Sequence, residues 1–330
     1  MKIIFLLRKH TGKRFSLELI YERICNFLQK QGCDAELYFL SGNFLDDIKN
    51  IRKLNPDIIH ITGDVQYFGI FLNKKKVILT IHDIGHYKNL KFIKKIVYRL
   101  FWFELPLLFY SYILFNSKIT KKRVLSNFFF KPKNSKIVHL CRGIESKKKN
   151  LKRHHKNLRI LQIGTLPHKN LTNLIEACST LDGVMLNIVG EIDERDTYLL
   201  RKYGIEYKNF INTTNDVIED LYLNSDLLTF LSLHEGFGLP VIEAQYHGLP
   251  VICSNIEPMT EIAGKGAIFL DPNKPSELRS TILKIQRNKL SLEQVAEDGL
   301  ENSKRFDTNL VSDNHLHVYR QIFLKEIKNS

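Results

Sequence analysis

The sequence has few of the features that mark the common special classes of protein. Its five cysteines among 330 residues are scattered, and no two of them form a Cys-x-x-Cys pair. This spacing argues against a disulfide framework and against a zinc site, and it favours a reduced, cytosolic setting. Neither a P-loop nor a complete Gly-x-Gly-x-x-Gly is present, so kinase and dehydrogenase functions lack their phosphate-binding loop.

Long hydrophobic runs are also missing. The most apolar stretch, residues 100–115, is interrupted by Glu104 and Pro106 and is too short to span a bilayer. The first ten residues, MKIIFLLRKH, read as a first strand rather than as a signal peptide. With 44% hydrophobic and 25% charged residues, the chain has an ordinary globular composition, and 330 residues suffice for two domains.

Positive charge is concentrated in one half of the chain. Residues 1–157 contain 32 lysines and arginines against 11 acidic residues, a formal charge of +21, whereas residues 158–330 contain 17 against 24, a formal charge of −7. The asymmetry indicates an anionic partner for the first half, such as a membrane surface. The alternative is a lysine-rich surface whose charges are simply solvated.

Apolar strands alternate with helical patterns along both halves, which predicts parallel sheets covered on both faces. A helix is predicted after residue 15, with Ser16 as its N-cap and Gly32 at its end. The basic segment 142–157 has no apolar periodicity and reads as a linker. The strands are predicted at 2–7, 34–40, 57–62, 76–81, 112–116 and 136–140, and then at 159–164, 184–190, 226–231, 250–254 and 266–271.

The stretch HEGFGLPVIEAQYHGLPV, residues 234–251, carries the strongest chemical signal. A glycine-rich loop follows a strand, Pro240 is placed to begin a helix, and Gly248 is placed to end it. Such a loop lies at the carboxyl end of a strand and feeds a helix N-terminus, a combination that suits a diphosphate. Glu235 in the loop and Glu243 in the predicted first turn of the helix are suited to bind paired sugar hydroxyls.

This stretch resembles the E-x7-E motif of family 4 glycosyltransferases, which have the α/β GT-B fold of two Rossmann-like domains facing a cleft. Further similar segments are LRILQIGTLPHKNLTNLIEA (158–177), LNIVGEID (186–193), NPDIIHI (55–61), VILTIHDIG (77–85) and SKIVHLCRGIE (135–145). The resemblance implies an acceptor-binding domain over 1–150 and a nucleotide-sugar-binding domain over 151–310. A C-terminal helix over 311–330 is expected to pack back on the first domain.

The resemblance also assigns roles by position. Glu235 would contact the donor sugar, Glu243 the ribose, and Lys169 the diphosphate. Thr165 stands where the family usually has an arginine, and His168, or Lys13 and Arg14, could supply the missing charge. The further donor-binding candidates are glycines and loop residues whose backbone can approach the ligand: Gly12, Gly164, Gly190, Gly236, Phe237, Gly238 and Leu239.

The implied reaction is transfer of a sugar from a UDP- or GDP-linked donor to a glycan or lipid-linked acceptor, with retention of the anomeric configuration. His82, after the strand at 76–81, matches a family histidine that faces the cleft near the donor sugar. No metal or other cofactor is expected. Residues 190–193 and 209–214 are the expected selectivity segments, and the implied setting is the cytoplasm or the inner face of the cell membrane.

Residues 88–104 could contact that membrane, since lysines and Arg99 recur on one side of a helical pattern with Tyr98 and Trp102 at its border. An ordinary amphipathic helix packed on its sheet is the competing interpretation. A nucleic-acid function is not expected, because no recognisable nucleic-acid-binding motif is present. The alternatives to the enzyme are a GT-B-like nucleotide-sugar-binding protein without transfer activity and a basic membrane- or nucleic-acid-binding module.

Overall fold

The computed structural model of the protein describes residues 1–9, 16–88, 91–144 and 156–328. The chain divides into two compact units, one made of Met1–Gly143 with Phe306–Ser330 and one made of Ile144–Arg305. Gly12, Lys13, Arg14 and most of the predicted linker, 145–155, lie outside the described residues.

The first unit is built on a parallel sheet of six strands in the order β2-β1-β3-β4-β5-β6. Its central strands are continuous apolar runs, and all five residues of β4 are buried, as expected for strands covered on both faces. The predicted strands of this half are confirmed, with bounds β1 Lys2–Leu7, β2 Asp34–Phe39, β3 Ile58–Ile61, β4 Val77–Ile81, β5 Tyr112–Phe115 and β6 Ser135–Ile137.

Seven helices accompany this sheet among the described residues: α1 Ser16–Lys30, α2 Phe44–Leu54, α3 Gly85–Lys88, α4 Phe92–Tyr98, α5 Leu105–Phe109, α6 Lys118–Asn127 and the last helix of the chain, Thr308–Lys328. Ser16 is the first residue of α1 rather than a cap before it. The last helix packs against α1, and buried His60 of β3 bonds through Nδ1 to the Tyr319 hydroxyl at 2.7 Å. The chain therefore returns to the first unit at residue 306.

The predicted amphipathic segment 88–104 is not one continuous α-helix. It begins at Lys88, the last residue of α3, and contains α4 and a π-helical turn over Arg99–Glu104 that runs into α5. The Glu104 carboxylate is buried, and it accepts bonds from the Arg99 guanidinium at 2.8 Å and from the backbone N–H groups of Phe129 and Phe130 at 3.0 and 2.9 Å. Arg99 thus pairs with a buried carboxylate while 38% of its side chain stays exposed. The apolar side of α4 is left exposed.

The second unit contains a parallel sheet in the order β12-β11-β10-β7-β8-β9. This is the strand order of the doubly wound dinucleotide-binding fold, in which the sheet grows outward in both directions from its first strand. The strands are β7 Leu158–Ile163, β8 Val184–Val189, β9 Glu206–Phe210, β10 Leu227–Phe230, β11 Val251–Ser254 and β12 Ile268–Leu270. The sequence prediction missed β9, because this edge strand, EYKNF, is mostly polar and exposed.

The helices of the second unit among the described residues are α7 Leu171–Cys178, α8 Glu194–Lys202, α9 Asn215–Asn224, α10 Leu239–Tyr246, α11 Met259–Ala263, α12 Pro275–Gln286 and α13 Glu293–Ser303. The helix at the end of the chain is therefore α14. Buried aliphatic side chains form a separate core on each side of the sheet, one centred on α7 and α12 and one on α10. These cores fix the loops at the carboxyl ends of the strands.

Candidate functional site

The predicted donor-site residues of the second unit collect at one point of the sheet. β7 and β10 are neighbours, and the strand order reverses between them. Gly164 and Thr165 follow β7 directly, and the loop with Glu235 and Gly236 follows β10. A crevice outside the carboxyl ends of strands at such a reversal is where open α/β sheets bind ligands.

Lys169 and Glu235 form an ion pair at this point. Lys169 Nζ lies 2.5 Å from Glu235 Oε1, and the two side chains are 18% and 12% exposed. The same ammonium group lies 4.6 Å from the centre of the Phe230 ring. The sequence predicted both residues as site residues, and the structure brings their side chains together. A cation and a carboxylate thus stand side by side within the loops after β7 and β10.

Backbone and amide bonds tie these two loops to each other. The Leu233 N–H donates to the His168 carbonyl at 2.8 Å. The side-chain amide of Asn170 donates to the carbonyls of Leu231 and Pro272 at 2.9 and 2.7 Å. Asn170 adopts φ +64°, in the left-handed region, directly after the short 3-10 turn that carries Lys169. These bonds hold together the two loops that carry Lys169 and Glu235.

Two glycines make room for these loops. Gly164 has φ +91°, and a Cβ there would lie 3.0 Å from the Lys169 side chain. Gly190 has φ +128°, and a Cβ there would lie 2.8 Å from Thr165 Oγ1. The Thr165 hydroxyl donates to the Glu191 carbonyl at 2.6 Å. Thr165 thus connects the loops after β7 and β8 and contributes no charge.

His168 does not replace the charge that Thr165 lacks. Desolvation by burial, and then the neighbouring Lys169, lower the pKa of His168 below its usual 6.5, so its imidazole is neutral at pH 7. Its ring lies 4.6 Å from the ring of His234, centre to centre. Sequence reasoning missed His234, although it stands next to Glu235 in the quoted motif.

The glycine-rich loop ends in the N-terminus of α10. Gly238 is the N-cap residue with φ +104°, Pro240 lies in the first helical positions, and Gly248 with φ +67° follows the helix. A Cβ on Gly238 would lie 2.5 Å from the Met259 methyl group. Phe237 is buried, with 5% of its side chain exposed. The loop is thus packed against the core, and the first turn of α10 follows it.

Glu243 is more deeply placed than the sequence suggested. It lies in the second turn of α10, not the first, and only 7% of it is exposed. Its Oε2 accepts a bond from the Tyr222 hydroxyl at 2.9 Å. Tyr222 stacks on His247, whose Nδ1 lies 2.7 Å from the Glu243 carbonyl. Neither Tyr222 nor His247 was predicted, because their positions in the sequence carry no sign of this contact.

In the first unit, His82 follows β4 at the carboxyl edge of that sheet. Its Nε2 lies 2.9 Å from the Thr62 carbonyl oxygen, so Nε2 carries the proton and donates. Nδ1 is then the acceptor nitrogen, and it has no hydrogen-bond partner among the described residues. Burial lowers the pKa of His82, which keeps the ring neutral at pH 7.

His82 is half-buried and lies beside two buried histidines. Its neighbours include Tyr21, His60 and His315, and the ring centres of His60 and His315 lie 5.7 Å apart. Burial lowers the pKa of His315 to about 4 and that of His60 well below 6.5. His315 is buried, because its side of α14 packs on the sheet.

The chain is similar in sequence to known glycosyltransferases. Residues 143–302 match the family model described as "Glycosyl transferases group 1". The chain is 27% identical over 176 residues to O-antigen chain mannosyltransferase B of Escherichia coli. The matched region covers 48% of this chain and 45% of that protein. It is 26% identical over 302 residues to the O-antigen biosynthesis glycosyltransferase WclY of Escherichia coli, covering 84% of this chain and 80% of that protein.

Among solved structures, the chain is similar to HepE of Anabaena in complex with UDP and glucose. That similarity has a TM-score of 0.77 at 17% identity and covers 97% of this chain and 100% of that one. Within the described part of the chain, no helix is long and apolar enough to cross a membrane. The structural comparison confirms the predicted GT-B fold. The predicted glycosyltransferase is supported by the match of residues 143–302 to the group 1 glycosyl transferases and by relatives that are themselves glycosyltransferases.

Proposed function

We propose that this protein is a retaining glycosyltransferase that moves a sugar from a nucleoside diphosphate donor to an acceptor hydroxyl during the synthesis of a surface polysaccharide or glycolipid. The observation that carries this proposal is the Lys169–Glu235 pair at the reversal point of the second sheet, next to a glycine-rich loop that feeds α10. The relatives named above are themselves glycosyltransferases of O-antigen biosynthesis.

The donor diphosphate would lie against Lys169 and the amides that lead into α10. Lys169 supplies a cation, and the helix N-terminus adds partial positive charge, so both stabilise the charge that develops on the leaving diphosphate. When the diphosphate pairs with Lys169, Glu235 is released to accept bonds from hydroxyls of the donor sugar. Glu243, held by Tyr222, would meet the ribose.

The protein would contribute placement and electrostatics rather than a covalent intermediate. In the retaining reaction, the glycosidic bond to the diphosphate breaks, the acceptor oxygen bonds to the same face of the anomeric carbon, and the acceptor proton passes to the departing diphosphate. Fixing donor and acceptor in this geometry lowers the barrier by removing the entropic cost of their encounter. In the first unit, His82 would lie near the donor sugar, with its half-buried ring at the carboxyl edge of the sheet.

The Glu235→Gln variant tests the assignment. We expect transfer to fall by at least about a hundredfold, since removal of one preorganised polar contact typically costs that much, while the circular dichroism spectrum stays unchanged. Glu297→Gln is the matched control, because Glu297 is an exposed glutamate of α13 in the same unit. Wild-type turnover in Glu235→Gln would remove the catalytic assignment. Donor binding without transfer in the wild-type protein would favour a nucleotide-sugar-binding protein instead.

Thermal-shift measurements can identify the nucleotide that the protein prefers. A ligand that binds only the folded protein raises its melting temperature by mass action, so UDP, GDP, ADP and their sugar conjugates should separate clearly. UDP is bound in the HepE structure, and mannose is the sugar in the name of one relative. We propose a UDP- or GDP-linked donor. This proposal is contradicted if none of the three nucleotides raises the melting temperature.

We also propose that α4 rests on an anionic membrane at the cytoplasmic face. Five apolar side chains along α4 and the start of the π-helical turn that follows it are exposed: Phe92 79%, Ile93 76%, Ile96 53%, Val97 51% and Leu100 41%. Lys91 and Lys94 are exposed beside them. An apolar stripe flanked by lysines suits acyl chains beneath anionic headgroups, and its exposure argues against a helix simply packed on its sheet.

Sedimentation with vesicles tests this surface. The variant Ile93→Ser/Ile96→Ser/Leu100→Ser should bind phosphatidylglycerol vesicles more weakly than the wild-type protein does. The matched control is Leu45→Ser/Leu310→Ser/Leu324→Ser, since these leucines are similarly exposed, at 67%, 49% and 57%. Equal loss in both variants would show that α4 is not the contact.

A further inference from the structure

A pocket of about 510 Å³ lies in the first unit, away from the residues assigned above. Residues 76, 111 and 134, which line it, directly precede β4, β5 and β6. All three strands are parallel, so the pocket lies at their amino ends. His82 follows the carboxyl end of β4, at the opposite edge of the sheet. The pocket is therefore separate from the predicted reaction edge, and its volume lies in the range of ligand sites.

The rim of this pocket carries unneutralised positive charge. Lys75, Lys133 and Lys325 line it, and all three are exposed. No ion pair with a carboxylate is found for any of the three among the described residues. Three ammonium groups around one pocket repel each other, and an anion between them would relieve that repulsion.

The neighbouring lysines are already engaged. Lys76 donates to the Pro56 carbonyl at 3.0 Å, and Lys74 lies 4.1 Å from the centre of the Phe109 ring. They fix the chain on either side of Lys75 and leave its ammonium group at the rim. Asn134 donates to the Ser111 carbonyl at 3.0 Å, which holds the loop before β6 beside the start of β5.

The rest of the lining is suited to an organic group. Leu108, Phe109 and the buried side chains of Tyr110 and Ile322 provide apolar surface, and half-buried Tyr112 adds an aromatic ring with a hydroxyl. A bare inorganic anion would use the lysines and leave this surface unfilled. Lysine acts as a point charge toward phosphate, and several of them together match its double charge.

We propose that this pocket binds a phosphorylated organic molecule, with the phosphoryl group between Lys75, Lys133 and Lys325 and the organic part against Phe109 and Tyr112. The ligand is either a soluble phosphate ester or the headgroup of a phospholipid, which share this chemistry. The site would operate beside sugar transfer and does not depend on it, since no residue of the donor site lines the pocket.

Equilibrium binding of glycerol 1-phosphate to the full chain, measured by calorimetry, tests the soluble form. The Lys75→Gln/Lys133→Gln/Lys325→Gln variant should bind about tenfold more weakly, since each exposed charge pair contributes modestly. Lys30→Gln/Lys49→Gln/Lys289→Gln is the control with the same change in charge at exposed lysines elsewhere. Lys169→Gln, which removes the cation of the donor site, should leave this affinity unchanged.

Phosphatidylglycerol vesicles test the lipid form, with the α4 serine variant as the background that removes the other membrane surface. If vesicles bind that background through the three rim lysines and glycerol 1-phosphate does not bind, the ligand is a lipid headgroup. If neither probe binds, or if the rim and control variants lose binding equally, the proposal is wrong. Loss of glycerol 1-phosphate binding in Lys169→Gln would also overturn it, because the donor site would then be the one measured.

Discussion

Removing Lys169 should affect stability and catalysis separately, because its ion pair with Glu235 is neither fully exposed nor fully buried. With 18% and 12% of the two side chains accessible and 2.5 Å between Nζ and Oε1, the pair lies between surface pairs, which contribute about 0–1 kcal/mol, and buried pairs, whose disruption costs about 3–5 kcal/mol. We therefore expect Lys169→Met to lower the free energy of unfolding by about 2 kcal/mol.

A double-mutant cycle with Lys169→Met, Glu235→Gln and the combined variant isolates the pair. Urea unfolding of the four proteins should give a coupling energy of about 1–2 kcal/mol. The exposed pair Lys304–Glu301, with side chains 72% and 73% accessible, is the control and should show little coupling. A coupling energy indistinguishable from that control would refute the structural part of the reasoning.

The catalytic part is measured with the same Lys169→Met variant. Loss of the cation at the diphosphate should reduce kcat by about a hundredfold or more, a larger effect than loss of stability alone produces at temperatures where the variant is fully folded. The comparison of kcat with KM matters because Lys169 is proposed to stabilise the departing diphosphate. If only KM rose and kcat stayed unchanged, Lys169 would bind donor and transition state equally.

Three further outcomes are expected. Gly238→Ala should destabilise the second unit by about 1–3 kcal/mol in urea unfolding, because φ is +104° and a Cβ would lie 2.5 Å from the Met259 methyl group. The free energy of unfolding should fall as the pH drops from 6.5 toward about 4, because His315 binds a proton in the unfolded chain but not in the folded one. The expected loss through His315 is about 3 kcal/mol. Glu104→Gln should lower the free energy of unfolding by about 1–3 kcal/mol, since the amide cannot accept all of the bonds that the carboxylate accepts.

The first two of these outcomes have a comparison within the chain. Gly204 has φ +62°, but an added Cβ would meet nothing within 4 Å, so Gly204→Ala should cost only the backbone term of about 1 kcal/mol. If Gly238→Ala lowered the free energy of unfolding no more than Gly204→Ala, the Met259 side chain would be moving aside at no measurable cost. His315→Gln should make the pH dependence shallower without abolishing it, because the pKa values of His60 and His82 are also lowered. His317→Gln, at an exposed position of the same helix, should leave the pH dependence unchanged. A flat wild-type curve would contradict the burial argument. Full stability of Glu104→Gln would mean that Arg99 finds another partner.

The features that the sequence predicted well are those that depend on neighbouring residues. Buried parallel strands are continuous apolar runs, so the central strands could be read directly, and Pro240 and Gly248 bound α10 as expected. The edge strand β9 was missed because its residues alternate between solvent and partial cover without an apolar run. The loop after β10 was identified by its glycines, which local backbone geometry requires.

The sequence by itself determined that the chain forms two parallel α/β sheets and which loop and helix of the second one carry Glu235 and Glu243, since periodicity and turn residues act over short distances. Only the tertiary structure decided that Lys169 reaches Glu235, 66 positions away, that Tyr222 holds Glu243, and that the apolar side of α4 stays uncovered. These contacts depend on the order of strands in the sheet, and strand order is set by packing between distant segments rather than by any local pattern.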